Sequence, residues 1–226
     1  MKIAVLGTGI VGQALAGRLS ELGHEVTVGT RGVDSTMART EPDAMGNPPY
    51  AVWAQSHPQV RLATFADATT GADLIVNATN GSASIPALTA AGRKNLAGKV
   101  LLDIANPLDF SKGFPPSLFV KDTDSLGEQI QREFPELRVV KALNTMNATL
   151  MVNPRQLADA DHSAFVAGDD ADAKKTVIDL LSSFGHTDVV DLGDITNARG
   201  AEMLLPIWVR LMGALNTPLF NFKIVR

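Results

Sequence analysis

The sequence predicts an α/β fold, with a doubly wound, mostly parallel sheet and a short helical cap at the C-terminus. Short apolar runs alternate with segments of helical periodicity along the chain, which is the pattern of β-α-β units. Two of these runs, at 74–78 and 100–104, are almost continuously apolar, as strands are when helices cover both faces of a parallel sheet. Together the two observations predict helices packed on both faces of one sheet.

Each element of this fold can be placed on the sequence. The apolar runs predict strands at 3–6, 26–28, 60–63, 74–78, 100–104, 139–142, 164–167 and 189–191. The helical segments predict helices at 11–22, 65–69, 85–95, 125–134, 171–184 and 198–215. The interval 32–58 is too long for an ordinary loop in a compact domain, so we expect it to be functional or partly helical. We divide the chain into a main domain at 1–195 and a C-terminal helical segment at 196–226.

Composition narrows the function classes. The chain has 226 residues, of which 45% are hydrophobic and 19% charged, which is typical of a globular protein. Its net charge of −4 argues against a nucleic-acid partner. It has no cysteine, which excludes disulfides and thiolate chemistry and fits a cytoplasmic location. The most apolar late segment contains Arg210 and is too short to cross a bilayer, so no membrane partner is expected.

A glycine-rich turn follows the first predicted strand. Residues 7–12 read Gly-Thr-Gly-Ile-Val-Gly and match G-x-G-x-x-G between a strand and an amphipathic helix. Gly7 permits a tight turn, Gly9 lets the backbone approach a pyrophosphate, and Gly12 allows close helix–strand packing. The helix N-terminus would present its free N–H groups to the phosphates, beside Thr8, Ile10 and Val11. The segment therefore predicts a dinucleotide-binding Rossmann domain at 1–195.

The end of the second predicted strand indicates which dinucleotide is bound. NAD-binding domains place an acidic residue there to bind the ribose 2′-hydroxyl, but this chain has Thr30 and Arg31. A carboxylate would repel a 2′-phosphate, whereas a guanidinium pairs with it and a threonine hydroxyl can add a hydrogen bond. The sequence therefore predicts NADP(H) as the cofactor, with a solvated surface arginine as the plainer alternative.

Small and neutral polar residues follow three other predicted strands. They suit hydrogen bonding to a ribose, a carboxamide or a flat heterocycle, although Asn and Pro also make turns. Ligands of open α/β sheets lie across the carboxyl ends of the strands, so we count these residues as candidates for cofactor binding. They are Ala78, Thr79 and Asn80, then Asn106 and Pro107, then Asn144 and Met146.

No side chain is predicted to act as a catalytic acid or base, and no metal site is predicted. The only tyrosine, Tyr50, is not followed by the lysine of a Tyr-x-x-x-Lys pair. The four histidines lie at turns or element ends and are expected to be solvated. Lys141 lies in a strand-like run, where structural pairing is the simpler expectation. Direct hydride exchange between a nicotinamide and a second redox ring needs no such group, because the cofactors carry the electronics.

These segments together resemble the NADP oxidoreductases that depend on coenzyme F-420 (F420, a deazaflavin). The resemblance is carried by KIAVLGTGIVG, HEVTVGTR, ELRVVKALNT, FVAGDDADAKK and DITNARGAEMLLPIWVRL, which span almost the whole chain. Several of them are also similar to the cytosolic domain of the STEAP metalloreductases, which take electrons from NADPH through a flavin.

The resemblance implies roles for the candidate residues. It implies that the glycine-rich turn binds the pyrophosphate, that Thr30 and Arg31 hold the 2′-phosphate, and that Ala78 and Thr79 line the ribose–nicotinamide path. It implies a deazaflavin near 106–107 and 144–146, and a homodimer.

We therefore interpret the chain as an NADPH-dependent oxidoreductase that transfers hydride between NADP(H) and F420 or a flavin. Two alternatives remain at this stage. One is a non-catalytic NADP(H) sensor that kept only the nucleotide site. The other is an NADPH reductase of a small carbonyl or imine, with water or Lys141 as the proton source.

The last predicted helix carries an apolar stripe that includes Trp208. Of the residues in this stripe, we most expect Trp208 to lie near a cofactor. Ordinary core packing is the alternative.

Overall fold

The computed structural model describes residues 1–43 and 46–226. Its strands are β1 (Lys2–Leu6), β2 (Glu25–Thr30), β3 (Arg61–Thr64), β4 (Leu74–Asn77), β5 (Val100–Asp103), β6 (Leu108–Asp109), β7 (Ser117–Leu118), β8 (Arg138–Ala142), β9 (Ser163–Ala167) and β10 (Asp188–Asp191). Its helices are α1 (Ile10–Glu21), α2 (Val33–Met37), α3 (Tyr50–Gln55), α4 (Phe65–Thr69), α5 (Gly81–Ala91), α6 (Arg93–Leu96), α7 (Leu126–Glu133), α8 (Ala148–Val152), α9 (Ala171–Phe184), α10 (Ala198–Met203) and α11 (Leu205–Leu215).

The main sheet has eight strands in the order β10-β9-β8-β5-β4-β1-β2-β3. All neighbouring pairs from β3 to β8 are parallel, and so is the pair β9 and β10. Within the main sheet of the described residues, only β8 and β9 run antiparallel, with Ala142 opposite Val166, and β6 and β7 form a separate antiparallel pair. The predicted fold class, a doubly wound and mostly parallel α/β sheet, is confirmed. The reversal turns the amino ends of β9 and β10 toward the edge where β1, β4, β5 and β8 end.

The core lies on both faces of the sheet, as the apolar strands predict. One cluster packs α1, α8 and α9 against one face, with Leu15, Leu150 and Leu181 fully buried. The other packs α4, α5 and α7 against the opposite face, with Leu88 and Ile130 fully buried. Because the elements are held from both sides, the strand ends are fixed relative to one another.

Three predicted segments differ from the structure in local detail. The predicted helix 85–95 begins earlier, at Gly81, and is interrupted at Gly92, whose φ of +92° breaks the helix. The predicted helix 198–215 divides at Leu204 into α10 and α11, with Pro206 in the first turn of the second helix, where it needs no N–H partner. The interval 32–58 contains α2 and α3, and its residues 44–45 lie outside the described part of the chain.

The chain after α11 runs without regular structure to residue 226 and returns to the sheet. The Ser163 N–H donates to the Phe222 carbonyl at 2.9 Å, and Arg226 forms an ion pair with Asp188 at 2.7 Å. This tail therefore covers the amino ends of β9 and β10. Within residues 1–43 and 46–226, no helix is long and apolar enough to cross a membrane. The division at 195 stays a prediction.

Candidate functional site

The glycine-rich turn joins β1 to α1 in a geometry that two of its glycines make possible. Gly7 has a φ of +125°, and a Cβ there would lie 2.4 Å from the Ala78 carbonyl oxygen. A Cβ on Gly12 would lie 2.1 Å from the Gly7 carbonyl oxygen. Neither position accepts a side chain, because the obstructing atoms belong to the backbone. The two glycines thus set the close approach of β1, α1 and the end of β4.

Gly9 is different, because nothing in the described structure requires it to be glycine. Its φ of −77° suits any residue, and a Cβ there would have no described heavy atom within 4 Å. It is exposed and forms the N-cap of α1, and no described side chain caps this helix. The first N–H groups of a helix need acceptors, and phosphate oxygens are suitable ones. The space above Gly9 is open, beside half-buried Thr8 and Val11 and exposed Ile10, and a pyrophosphate there stays a prediction.

Thr30 and Arg31 occupy the end of β2 in very different environments. Thr30 is buried, and its hydroxyl lies 2.7 Å from the hydroxyl of Thr36 in α2. Arg31 is exposed, and its guanidinium has no hydrogen-bond or ion-pair partner among residues 1–43 and 46–226. The bond between the two hydroxyls ties α2 to the strand end. Arg31 is therefore the member of the pair that is free to meet an anion, and a phosphate contact for Thr30 stays a prediction.

The end of β4 continues this edge of the sheet. Ala78 and Thr79 are half-buried and Asn80 is exposed at the start of α5. A Cβ on Gly81 would lie 2.1 Å from the Asn106 carbonyl oxygen, so α5 begins in direct contact with the segment after β5. The side chains of 78–80 therefore lie on an accessible rim between the glycine-rich turn and the β5 end.

The residues after β5 and β8 bind mainly to each other. The Asn106 side-chain amide donates to the Asn144 carbonyl at 2.9 Å, and the Asn144 amide donates to the Asn106 side-chain oxygen at 3.0 Å. Asn144 also donates to the Ala201 carbonyl of α10 at 3.0 Å. Asn144, Met146 and Pro107 are buried, and Asn106 is half-buried. This burial does not favour direct cofactor contact for Asn144 and Met146, and their binding role stays a prediction.

A buried charge cluster lies directly behind the β4 and β5 ends. The Lys141 ammonium lies 2.6 Å from the Asp103 carboxylate and 2.8 Å from the Glu202 carboxylate, and it donates to the Ala105 carbonyl at 2.7 Å. Burial alone would lower the pKa of Lys141, but attraction by the two carboxylates outweighs it and the pKa is raised. The ammonium contacts two carboxylates and one carbonyl, and the side chain is fully buried. This burial does not favour Lys141 as the proton source for a substrate and favours the structural pairing that the sequence predicts.

Glu202 connects this cluster to the second face of the sheet. Its carboxylate accepts the Leu126 N–H at 2.9 Å and the Gly127 N–H at 3.0 Å, which are the first two of α7. A negative charge at this position is stabilised by the helix dipole. The structural pairing expected for Lys141 is confirmed, but its partners Asp103 and Glu202 were not predicted, although the Asp inside the apolar run VLLDIA is a signal of buried pairing.

Two further sequence expectations concern Trp208 and the four histidines. Trp208 stacks on Phe220 of the tail, with ring centroids 5.2 Å apart. The aromatic ring that it contacts therefore belongs to this chain, and its contact with a cofactor stays a prediction. The expectation that all four histidines are solvated is wrong. His162 and His186 are buried. The His162 ring donates to the Pro154 carbonyl at 3.1 Å, and the His186 ring donates to the Met151 carbonyl at 3.0 Å. Among the described residues there is no cluster of side chains that could hold a metal ion.

Comparison with known proteins adds independent findings. The family model described as NADP oxidoreductase, coenzyme F420-dependent, matches residues 2–107. The chain is 65% identical to a candidate F420-dependent NADP-reductase from Arthrobacter sp. FB24, whose crystal structure superposes with a TM-score of 0.97 over the full length of both chains.

Two curated relatives are more distant. An F420-dependent NADP reductase from Methanothermobacter marburgensis is 27% identical over 215 residues, which is 93% of this chain and 92% of the relative. Metalloreductase STEAP3 from Rattus norvegicus is 27% identical over 212 residues. That match covers 92% of this chain but only 38% of STEAP3, so it relates this chain to one part of a longer protein.

Proposed function

The chain belongs to the family of coenzyme F420-dependent NADP oxidoreductases, and from this premise we propose that it transfers hydride between NADP(H) and a deazaflavin of the F420 type. That the protein is an NADP-dependent oxidoreductase follows from the family itself. The identity of the second redox partner is the proposal. Flavin in place of F420 is the nearest variant, since the STEAP relative is named a metalloreductase.

One observation carries the assignment of the NADP(H) side: the uncapped N-terminus of α1, with open space above Gly9, shares a sheet edge with the unpaired Arg31. In this proposal the segment 7–12 receives the pyrophosphate, and Arg31 pairs with the 2′-phosphate. Ala78, Thr79 and Asn80 then flank the ribose and nicotinamide. A dinucleotide laid this way along the edge brings its nicotinamide toward Asn106 and Pro107.

The chemistry needs no acid or base from the protein. When bound, NADPH supplies a hydride from C4 of its nicotinamide, C5 of the deazaflavin takes it up, and a proton from water completes the reduction. The chain orients the two rings on a rigid edge of the sheet. The bonds between Asn106 and Asn144 and the charge cluster of Lys141 hold this edge in place. This matches the absence of a free acid–base side chain among the candidate residues that the structure describes.

The experiment mixes purified protein and NADPH with oxidised F420, and in parallel with FMN, FAD and riboflavin, and follows each visible absorption band. We expect rapid bleaching with F420 and little with the flavins. Bleaching with flavins alone would replace the deazaflavin by a flavin in the proposal. Tight NADPH binding without bleaching of any ring would favour the sensor, and turnover of an imine without any flavin would favour the small-substrate reductase.

We further propose that the protein is a cytoplasmic homodimer. Five large apolar side chains of α11 and the tail are exposed: Ile207, Leu215, Leu219, Ile224 and Val225. Apolar surface of this kind is commonly covered by a partner. Light scattering of the purified chain should give twice the mass of 23.9 kDa, and a monomer at micromolar concentration would contradict the proposal.

A further inference from the structure

A chain of hydrogen bonds runs from the buried charge cluster to the rim of the candidate site. The Asp103 carboxylate, which touches Lys141 through one oxygen, accepts the Asn77 amide through the other at 2.8 Å. The Asn77 side-chain oxygen lies 2.7 Å from the Thr79 hydroxyl. Lys141, Asp103 and Asn77 are fully buried, whereas Thr79 is half-buried on the rim. The chain thus links a fixed charge in the core to an accessible hydroxyl.

The bond directions in this chain are fixed at its buried end and by the Thr79 backbone N–H, which donates to the Asn77 oxygen at 3.3 Å. The Lys141 ammonium lies against the Asp103 and Glu202 carboxylates, and Asp103 also accepts the Ala105 N–H at 3.3 Å, so Asp103 acts as an acceptor in this chain. A carboxylate only accepts, so Asn77 must turn its NH₂ group toward Asp103. The Asn77 oxygen then faces Thr79, and the single hydroxyl proton of Thr79 must point inward to it.

Ser84 completes the surroundings of the Thr79 hydroxyl. Its hydroxyl lies 3.0 Å from that of Thr79 and 3.5 Å from the Asn80 carbonyl. Since the proton of Thr79 is already committed to Asn77, Ser84 is the donor in their shared bond. The Thr79 oxygen accepts this bond through one lone pair and keeps a second lone pair for a ligand. It can accept from a ligand but cannot donate to one.

We propose that Asp103 and Asn77 are positioning residues that make the Thr79 hydroxyl a dedicated acceptor for a donor group on the nicotinamide half of the cofactor. The inference rests on the proposed function and deepens it. Two groups of that half carry suitable protons: the hydroxyls of the ribose and the N–H of the carboxamide. A site that is built to accept a hydrogen bond from its ligand discriminates strongly, because two donors that face each other both stay unpaired.

The decisive variant is Asp103→Asn. The new amide turns its oxygen to the Lys141 ammonium, so its NH₂ faces Asn77 and the Ala105 N–H, and Asn77 reverses at the cost of the bond that it accepts from the Thr79 N–H. The Thr79 hydroxyl then accepts a hydrogen bond from Asn77 and directs its own proton toward the ligand. Two hydrogen-bond donors, the Thr79 O–H and the ligand group, then face each other. The double variant Asn77→Asp with Asp103→Asn restores the original direction, because a carboxylate at 77 accepts from both neighbours.

Isothermal titration calorimetry measures how the variants change the affinity for three probes. Adenosine 2′,5′-bisphosphate lacks the nicotinamide half, 2′-phospho-ADP-ribose adds the ribose, and NADPH adds the carboxamide. We expect Asp103→Asn to weaken NADPH binding at least about tenfold, which is about 1.4 kcal/mol, and to leave the bisphosphate unchanged. Equal weakening of 2′-phospho-ADP-ribose would identify the ribose as donor, and no weakening of it would identify the carboxamide. The double variant should bind NADPH within about threefold of wild type, well under the single variant's loss.

A second pair keeps the test decisive if Asp103→Asn does not fold. Thr79→Val removes the acceptor and should repeat the probe pattern, while Thr79→Ser keeps it and should bind as wild type does. The proposal is overturned if Thr79→Val leaves NADPH binding unchanged, or if either variant weakens all three probes equally. Binding is measured without any deazaflavin, so the failure of F420 reduction would be a separate result that concerns only the proposed function.

Discussion

Two stretches of the same sheet edge are built in opposite ways. After β1 and β2 the chain offers unused groups: a helix N-terminus without a described side-chain cap, open space above Gly9, and the unpaired guanidinium of Arg31. After β4, β5 and β8 the polar side chains are bonded to one another, as in the mutual amide bonds of Asn106 and Asn144. In the proposed function the first stretch, which we call the open stretch, receives a charged ligand, and the second, which we call the closed stretch, keeps its own shape.

The difference follows from what each half of a dinucleotide requires. Phosphates carry charge, and they are bound by donors that remain solvated until the ligand arrives. An uncharged ring must be held at a defined distance and angle, which calls for rigid surroundings. A polar residue at a strand end is therefore weak evidence of ligand contact until its own partners are known.

The largest expected effect is at the closed stretch. Lys141→Met leaves the Asp103 and Glu202 carboxylates buried without a counter-charge, so the free energy of unfolding should fall by about 3–5 kcal/mol in urea titration. Since the folded-state pKa of Lys141 is raised above 10.5, its contribution is complete below that pH and is lost only as the pH rises through the folded value. Lys141 itself therefore adds no pH dependence to the stability of the wild-type protein near neutrality.

The matched control is Lys175→Met, which removes an exposed pair with Asp179 on α9. That variant should lose much less free energy of unfolding than Lys141→Met, because water screens an exposed ion pair. If the two lysine variants lose the same amount, the charge cluster does not hold the closed stretch together, and the contrast between the two halves fails.

The second effect concerns binding at the open stretch. Arg31→Ala should raise the Michaelis constant for NADPH far more than that for NADH, because only NADPH carries the 2′-phosphate. A hydrogen bond to a charged group contributes about 1.5–3 kcal/mol, so the expected ratio is roughly ten- to a hundredfold. Arg61→Ala is the control, since this exposed arginine begins β3 at the opposite edge of the sheet. An equal rise of the Michaelis constants for NADPH and NADH would contradict the proposed role of Arg31.

The third effect separates Gly9 from its neighbours. Gly9→Ala should fold with a loss of at most about 1 kcal/mol, because its φ is ordinary and no described atom obstructs a side chain, yet it should weaken NADPH binding about tenfold. Gly12→Ala should instead destabilise the fold by about 1–3 kcal/mol or more, because its Cβ would meet a backbone oxygen. Gly213→Ala, in an equally open position on α11, is the control for binding. Unchanged affinity in Gly9→Ala would mean that no ligand approaches there.

The sequence predicts the open stretch well and the closed one poorly, for a physical reason. A glycine pattern between a strand and a helix reports a backbone geometry that is local in the chain, and the eight strands of the main sheet all lie where apolar runs place them. Asn144 pairs with Asn106 across 38 positions, and Glu202 reaches α7 across 75. Such partners depend on which strands become neighbours, and the antiparallel turn of β9 is of the same kind. Thr30 shows the same limit, because its bond to Thr36 needs the short helix α2 that no strong periodicity marks.

The smallest expected effect tests whether burial is the reason that the charge cluster contributes strongly to the free energy of unfolding. Helix α7 meets Glu202 at its buried N-terminus, and on its exposed side Arg132 donates to both oxygens of Asp124 at 2.9 and 2.8 Å. The bonds from Arg132 lower the pKa of Asp124 from 3.8 to about 2. The stabilisation is therefore present above pH 3.8 and disappears as the pH falls through about 2.

Water screens this exposed pair, so Asp124→Asn should lower the free energy of unfolding at neutral pH by less than about 1 kcal/mol. The difference from wild type in urea titrations should shrink between pH 4 and pH 2 as the wild-type carboxylate becomes protonated. A loss as large as that of Lys141→Met would contradict the argument, because an ion pair in water would then hold the fold as firmly as one in the core. A loss several times smaller means that the stiffness of the closed stretch comes from charges that water cannot reach.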